Sequence, residues 1–501
     1  MLHSASGVAA IVPSQAYADL LEAALLQQEI EDVRILLAAG DDCTACLGEL
    51  APAPTRALAL IIERFGDGRA FVEAAQAIRR PLVVLAPSRE TAGGEPEESP
   101  AAIGAALRKA GAIRAATLEE LADAVACLAA NADKLPRVPE ATLMAPEPLR
   151  PWLLAAGQAE GLSLVGGDAA LLMAAPEAGA SVAEPRFGAG SPKVAPPLGG
   201  IIVVQAASAP SILAEGLASV AATLPVTACF ADAVQRRAAR DAGWPVLPTP
   251  ERALRAYGAL VSVGRAHSAV STGEEPANPV QPMAIEGTGV MDEHEAKRLL
   301  DRWGVTVVPG TLVIGPGRHE FTPVRKLATH FGFPVALKAI RRDIVDKVGM
   351  GAVASGLQTV EELEAAWERL HAAFPDAAWL VQPMLPGDIE LIVGARRDPT
   401  FGPLVQVGPG GVMTELYDDV ATRLAPLTEA DALAMLRETK VHTLLEGFHG
   451  LPFHDPREVA QVLVRVGDLM LGQPSVEELA INPLLLTEKG PIVMDALAVI
   501  R

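Results

Sequence analysis

Phe333-Pro334-Val335-Ala336-Leu337-Lys338 reads as a buried strand that ends in a lysine, and the second half of the chain is organised around it. A glycine-bearing loop follows, Lys347-Val348-Gly349-Met350-Gly351, and then a second apolar strand, Trp379-Leu380-Val381-Gln382-Pro383-Met384, with Glu390 shortly after it. Near the end stand Ile481-Asn482-Pro483-Leu484 and Asp495. A lysine and close-approaching glycine backbone suit phosphate, an apolar slot suits a base, and Asn, Asp and Glu oxygens suit magnesium. Together these segments outline a candidate nucleotide pocket.

The surrounding signals give an α+β arrangement. Asp292 with Glu295 forms a capping-box-like helix start. Ala296, Leu299, Leu300 and Trp303 then share one face, and Gly304 ends the helix. Thr359 with Glu362 opens a second helix that turns Leu363, Ala366, Trp367 and Leu370 inward. Strands at 335–339, 379–382 and 391–393 surround it. At the end, two apolar runs flank the turn Thr487-Glu488-Lys489-Gly490. A turn centred between Glu488 and Lys489 pairs Asn482 with Asp495. Opposed side chains have Cβ atoms about 5 Å apart, which suits two oxygen ligands on one magnesium ion.

Singly, these residues have plainer readings. A strand lysine snorkels to solvent more often than it meets an anion. Lys-x-Gly-x-Gly is common, Val407-Gly408-Pro409-Gly410-Gly411 can be a tight turn, and Glu390 can be a solvated edge charge. Order and spacing raise the odds.

Working outward, the chain has 501 residues, half of them apolar and a fifth charged, which is enough for three or four globular domains. A net charge of −20 repels nucleic acid and anionic membranes. There is no apolar run of membrane length and no signal segment, so the expected place is the cytoplasm. Four cysteines make no disulfide framework, and the single Cys43-x-x-Cys46 reads as small buried thiols in a loop. Over residues 1–130, strands at 7–12, 33–38, 57–62 and 82–85 alternate with helices at 17–28 and 71–78, the pattern of a parallel sheet covered on both faces. Thr91 to Pro100 is a polar loop after a strand. Residues 136–265 repeat the style, with strands at 141–144, 198–204 and 226–230 and a long loop over 174–198. The division expected is therefore 1–133, 134–265, a linker at 266–289 whose aperiodic composition begins at Val263, and 290–501.

The order of these motifs resembles the ATP-grasp half of the ADP-forming acyl-CoA ligases, relatives of succinyl-CoA synthetase. The resemblance covers Met291 to Val499 and rests on EAKRLLDRWGV (295–305), FPVALKA (333–339), LVQPMLPGDIELIVGARRDPTFGPLVQVGPGGV (380–412), RLAPL (423–427), LLEGFHG (444–450) and INPLLL (481–486). More faintly, the first half is similar to that family's two flavodoxin-like domains. The fold implied is α/β, two flavodoxin-like parallel-sheet domains followed by an α+β ATP-grasp domain.

By position, the resemblance implies that Lys338 and Lys347, with Gly349 and Gly351, hold the phosphates of ATP. Gln382, Pro383 and Met384 would meet the adenine and Glu390 the ribose, while Asn482 and Asp495 would bind Mg2+. The activity implied is ATP-dependent conversion of a carboxylate to a CoA thioester with release of ADP and phosphate.

The departures concern the phosphoryl relay. The family passes phosphate through a histidine in a Ser-His-Thr-Gly loop, where this chain has Glu97-Glu98-Ser99-Pro100, and no histidine occurs from Ser4 to Ala266. The family's His-Lys before the glycine loop is here Asp346-Lys347, so Asp346 is a candidate phosphate acceptor, since carboxylates form acyl phosphates. The usual acidic residue before the Asn-Pro is Ala480. The chain begins where the second domain of the family should, without the CoA-binding domain. Two readings follow: a ligase subunit whose partner chain supplies the CoA domain and the histidine, or a Mg-ATP-binding sensor or scaffold without turnover. Either is expected to act as a homo- or hetero-oligomer, with CoA and a small carboxylic acid reached through the partner.

Overall fold

The computed structural model describes residues 7–30, 33–38, 46–48, 55–78, 80–86, 99–167, 199–205, 224–269, 285, 288–344, 347–410 and 419–501. The chain divides into two compact units, Met1–Gly273 and Glu274–Arg501.

The first unit holds two parallel sheets. Strands β1 (Val8–Val12), β2 (Val33–Leu37), β3 (Ala57–Ile61), β4 (Leu82–Leu85) and β5 (Ile113–Ala115) form one in the order β2-β1-β3-β4-β5. Strands β6 (Glu140–Met144), β7 (Ser163–Gly167), β8 (Ile201–Gln205) and β9 (Val226–Phe230) form the other in the order β7-β6-β8-β9. Helices flank both sheets, so β1 and β3 are buried along their whole length, which is why they carry uninterrupted apolar residues. In the helix Gln15–Leu26, Ala18, Leu21 and Leu25 face the core, whereas Leu20 is 56% exposed. One apolar cluster runs through both sheets, joining Ile61 and Val125 to Ile202 and Tyr257. Asp123 adds a buried bidentate pair with Arg252 at 2.5 and 2.7 Å.

The expected linker begins too early. The helix Pro250–Ala269 runs through Val263, which is fully buried. A Cβ on Gly264 would stand 2.0 Å from the Pro136 carbonyl oxygen, so glycine there marks helix packing and not a hinge. Residues 91–98, 174–198 and 270–284 lie outside the described residues, as does Cys43. Among the described residues, no helix is long and apolar enough to cross a membrane.

In the second unit the ladders are antiparallel. Strand β10 (Gly289–Met291) leads into the helix Glu293–Arg302. Strands β11 (Thr311–Val313), β12 (Val335–Ile340), β13 (Val353–Leu357) and β14 (Ala378–Pro383) make a four-stranded sheet in the order β11-β14-β12-β13. The helices Phe321–Phe331 and Val360–Ala373 cover it around Trp379 and Leu363. Strands β15 (Ile389–Asp398), β16 (Gly402–Pro409), β17 (Ala421–Leu424), β18 (Val476–Thr487), β19 (Gly490–Val493) and β20 (Ala496–Ile500) join β10 in a seven-stranded sheet. Its order is β10-β20-β18-β15-β16-β17, with β19 on β18. The helices Glu429–Glu438 and Pro456–Gly472 pack on it together with the helix Glu293–Arg302. The α/β first half and α+β second half are thus as the periodicities imply.

Candidate functional site

The helix Glu293–Arg302 starts where its sequence says. The Asp292 carboxylate accepts from the Glu295 N–H at 2.9 Å, and Glu295 reaches back to the Asp292 N–H at 3.1 Å. This capping box fixes the first turn. Ala296, Leu299 and Leu300 then face the core. Glu293 and Lys297, one turn apart, lie on that side too and are buried, with side-chain exposures of 0% and 7%. A glutamate near a helix N-terminus four residues before a lysine is a favourable order.

Strand β12 presents Lys338 to the same spot. The strand does not end there, as its apolar run suggests: it continues to Ile340, and Lys338 is held mid-strand between Val353 of β13 and Leu380 of β14. Its side chain is 7% exposed. Such a lysine needs an anion, because an unpaired buried charge is very costly. Lys338 Nζ donates to Glu293 Oε1 at 2.7 Å, to Asp495 Oδ2 at 3.2 Å and to the Met494 carbonyl at 3.3 Å. Lys347 comes from the following loop, with Nζ 3.0 Å from Asp495 Oδ1 and 3.3 Å from Glu293 Oε2. Lys297 Nζ donates to Glu293 Oε1 at 2.6 Å and to Gln382 Oε1 at 3.0 Å. Three ammonium groups and two carboxylates therefore meet at one point, brought there by the Glu293–Arg302 helix, strand β12, the loop after it and the link between β19 and β20.

The electrostatics follow from that count. Burial pushes the Glu293 carboxyl up, but Lys338, Lys297 and Lys347 outweigh it and hold the group at about 2. Burial brings Lys297 down to about 8, against the pull of Glu293. Burial also works against Lys347, but Asp495 and Glu293 overcome it and its pKa is raised. Among the described residues, three ammonium groups face two carboxylates, which leaves a positive balance, the sign that attracts phosphate.

The closing hairpin takes the register its turn implies. Thr487 pairs with Gly490 and Leu484 with Val493. The pairing continues past β19, where the Asn482 N–H donates to the Asp495 carbonyl at 3.2 Å and the Met494 N–H to the Pro483 carbonyl at 3.0 Å. Asn482 and Asp495 thus face each other at the hairpin's open end. Asn482 is exposed, and the Asp495 side chain is 24% exposed.

The remaining candidates fall as follows. Gln382 is buried, and its side-chain oxygen accepts from Lys297, which joins it to the charge cluster. Pro383 ends β14 against Val335, and the Met384 N–H donates to the Pro334 carbonyl at 3.0 Å while the residue is 36% exposed. The Glu390 side chain is exposed at the start of β15. Its carbonyl accepts from the Gly410 N–H at 2.8 Å, an approach so close that a Cβ on Gly410 would stand 2.8 Å from the Glu390 carbonyl carbon. The loop 347–351 is a turn in which the Gly351 N–H bonds the Val348 carbonyl, and Gly351 takes φ +68°. That N–H serves the turn, and Gly349 is exposed in the same turn. Asp346 lies outside the described residues.

Glu293 and Lys297 are the members that sequence reasoning missed. The signal was present, since both flank Ala296 on the face that carries Leu300. Counting only apolar residues on that face hides it.

Comparison with known proteins fits this architecture. Residues 283–500 match the family model of an ATP-grasp domain, and residues 39–128 that of a succinyl-CoA ligase-like flavodoxin domain. A relative named acetate–CoA ligase [ADP-forming] I subunit beta, from Pyrococcus furiosus, is 36% identical over 211 residues, covering 41% of this chain and 89% of that one. The chain belongs to the ADP-forming acetate–CoA ligase family. A second beta subunit from P. furiosus, of ligase II, is 30% identical over 44% of this chain and 96% of its own length. The acetate–CoA ligase [ADP-forming] I of Archaeoglobus fulgidus is 33% identical over 52% of this chain, but the match spans only 39% of that ligase. Among solved structures, acetyl-coenzyme A synthetase 1 of Ca. Korarchaeum cryptofilum is 34% identical over 43% of this chain and 95% of that one, with a TM-score of 0.40.

Proposed function

We propose that this member of the family is the nucleotide-binding part of an ADP-forming acyl-CoA ligase. It takes ATP with Mg2+ in the second unit and directs the γ-phosphoryl group towards a carboxylic acid that becomes a CoA thioester. A separate chain supplies the relay histidine, since none stands between Ser4 and Ala266. Relatives named beta subunits, matched over most of their length, support a division between chains.

One observation carries the reading: Lys338 and Lys347, from separate segments, converge on Asp495 opposite Asn482. Two lysines at one point serve the oxygens of a polyphosphate and neutralise charge developing there. A carboxylate and an amide oxygen on facing strands are hard donors of the kind Mg2+ accepts while keeping its waters, so Asp495 and Asn482 fit that ion. When bound, it would supply a further positive charge to the β- and γ-phosphates. Both Asp495 oxygens are paired with lysines, so arriving phosphates would take the lysines and free the carboxylate. Pro383, Met384 and Glu390 would border the nucleoside.

Calorimetry on the intact chain tests this. Mg-ATP should bind the chain alone, and Lys338→Ala should weaken binding at least tenfold, which is about 1.4 kcal/mol. No binding at millimolar ATP refutes the proposal. ADP release that depends on CoA and a carboxylate should appear only after mixing with the chain that co-purifies from native cells.

A further inference from the structure

We propose that Glu293 is the positioning residue of this site, a carboxylate that touches no substrate yet fixes where Lys338 and Lys347 present their charges. The inference rests on the reading of those two lysines as phosphate ligands.

Glu293 is fully enclosed, so neither a nucleotide nor water reaches it without the helix moving. Its Oε1 takes Lys297 at 2.6 Å and Lys338 at 2.7 Å, and its Oε2 has the Lys347 ammonium at 3.3 Å as its ion-pair partner. The carboxylate thus holds a strand lysine and a loop lysine in one place. Each lysine side chain has rotamer entropy to lose on ordering, and a group ordered before binding does not pass that cost to the ligand.

Asp495 cannot fill this role. It is partly exposed, and it is the carboxylate expected to exchange its lysines for a metal when a nucleotide arrives. Among the described residues, Glu293 is then the anion of the cluster left to balance the ammonium groups. Two features keep it in place: the capping box that sets the first turn of its helix, and Lys297, anchored behind it on Gln382. Without the carboxylate, three ammonium groups would repel one another over a few ångströms, and the two front lysines would spread apart.

The test compares the affinities of the full chain for Mg-ATP and for adenosine, a probe without phosphate, alongside melting temperature. Glu293→Gln should lose at least tenfold in Mg-ATP affinity while adenosine affinity stays within twofold. Glu293→Asp keeps the charge but draws it back by one methylene. It should melt closer to wild type and still lose Mg-ATP affinity severalfold, and it decides the matter if the glutamine variant does not fold. A folded variant of either kind that binds Mg-ATP within twofold of wild type overturns the inference. So does an equal loss of adenosine and Mg-ATP affinity, which marks a merely structural residue. If wild type binds Mg-ATP and Lys338→Ala binds it equally well, the phosphate-site reading itself is wrong, whatever Glu293 does.

Discussion

Lys338 occupies the middle of a strand whose neighbours are all buried, and it is tolerated there because Glu293 lies 2.7 Å away. Breaking a buried pair by removing one partner costs about 3–5 kcal/mol, since the other charge is stranded. The pair also makes the fold acid-sensitive. The Glu293 carboxyl falls from an ordinary 4.5 to about 2 in the folded chain. A depressed carboxyl stabilises the fold fully above its unfolded value, and that stabilisation fades as pH drops towards the folded value. The linked contribution is roughly 3 kcal/mol. Wild type should therefore exceed Glu293→Gln in stability at neutral pH, and denaturant midpoints should converge between about pH 4.5 and 2. A gap that stays constant through this window would show that Glu293 is uncharged in the fold.

At the scale of elements, the helix Glu293–Arg302 and the β18–β19 hairpin are set by local chemistry and bring the charges to one place. Asp292→Ala removes the N-cap and should cost about 1 kcal/mol. Because Glu293 is the next residue, fraying of that turn should also weaken Mg-ATP binding severalfold in calorimetry. The C-terminus of the helix Pro456–Gly472 shows a different constraint. A Cβ on Gly472 would stand 2.1 Å from Trp303 Cη2, and Trp303 is the residue that caps the Glu293–Arg302 helix. Gly472→Ala should destabilise the second unit by about 1–3 kcal/mol, the usual cost of overpacking, visible as a lower denaturant midpoint.

Taken whole, the molecule has separate apolar cores in its two units. Calorimetric melting should then show two transitions. Mg-ATP binds only folded protein and should raise one of them; at a hundred times the dissociation constant, the gain is about 2.7 kcal/mol. At the same ATP concentration Lys338→Ala should cut that gain by about half or more without moving the other transition. A single transition, or a rise in both, would contradict the assignment of the nucleotide to the second unit alone.

Strand and helix periods made the architecture of both units readable from the chain, because burial on one or two faces imprints itself on neighbouring residues. The hairpin was readable to the residue: a short turn between apolar runs admits one register, and that register sets Asn482 against Asp495. Lys338 was readable as a lysine in an apolar strand, although not its position inside that strand. What the chain alone did not disclose is the anion that Lys338 meets. Glu293 lies 45 residues before Lys338 and 85 residues separate Lys297 from Gln382, so no local pattern couples them. Their meeting depends on how a helix and two sheets pack, and burial then makes a glutamate and a lysine that look like ordinary helix-surface charges the electrostatic centre of the site.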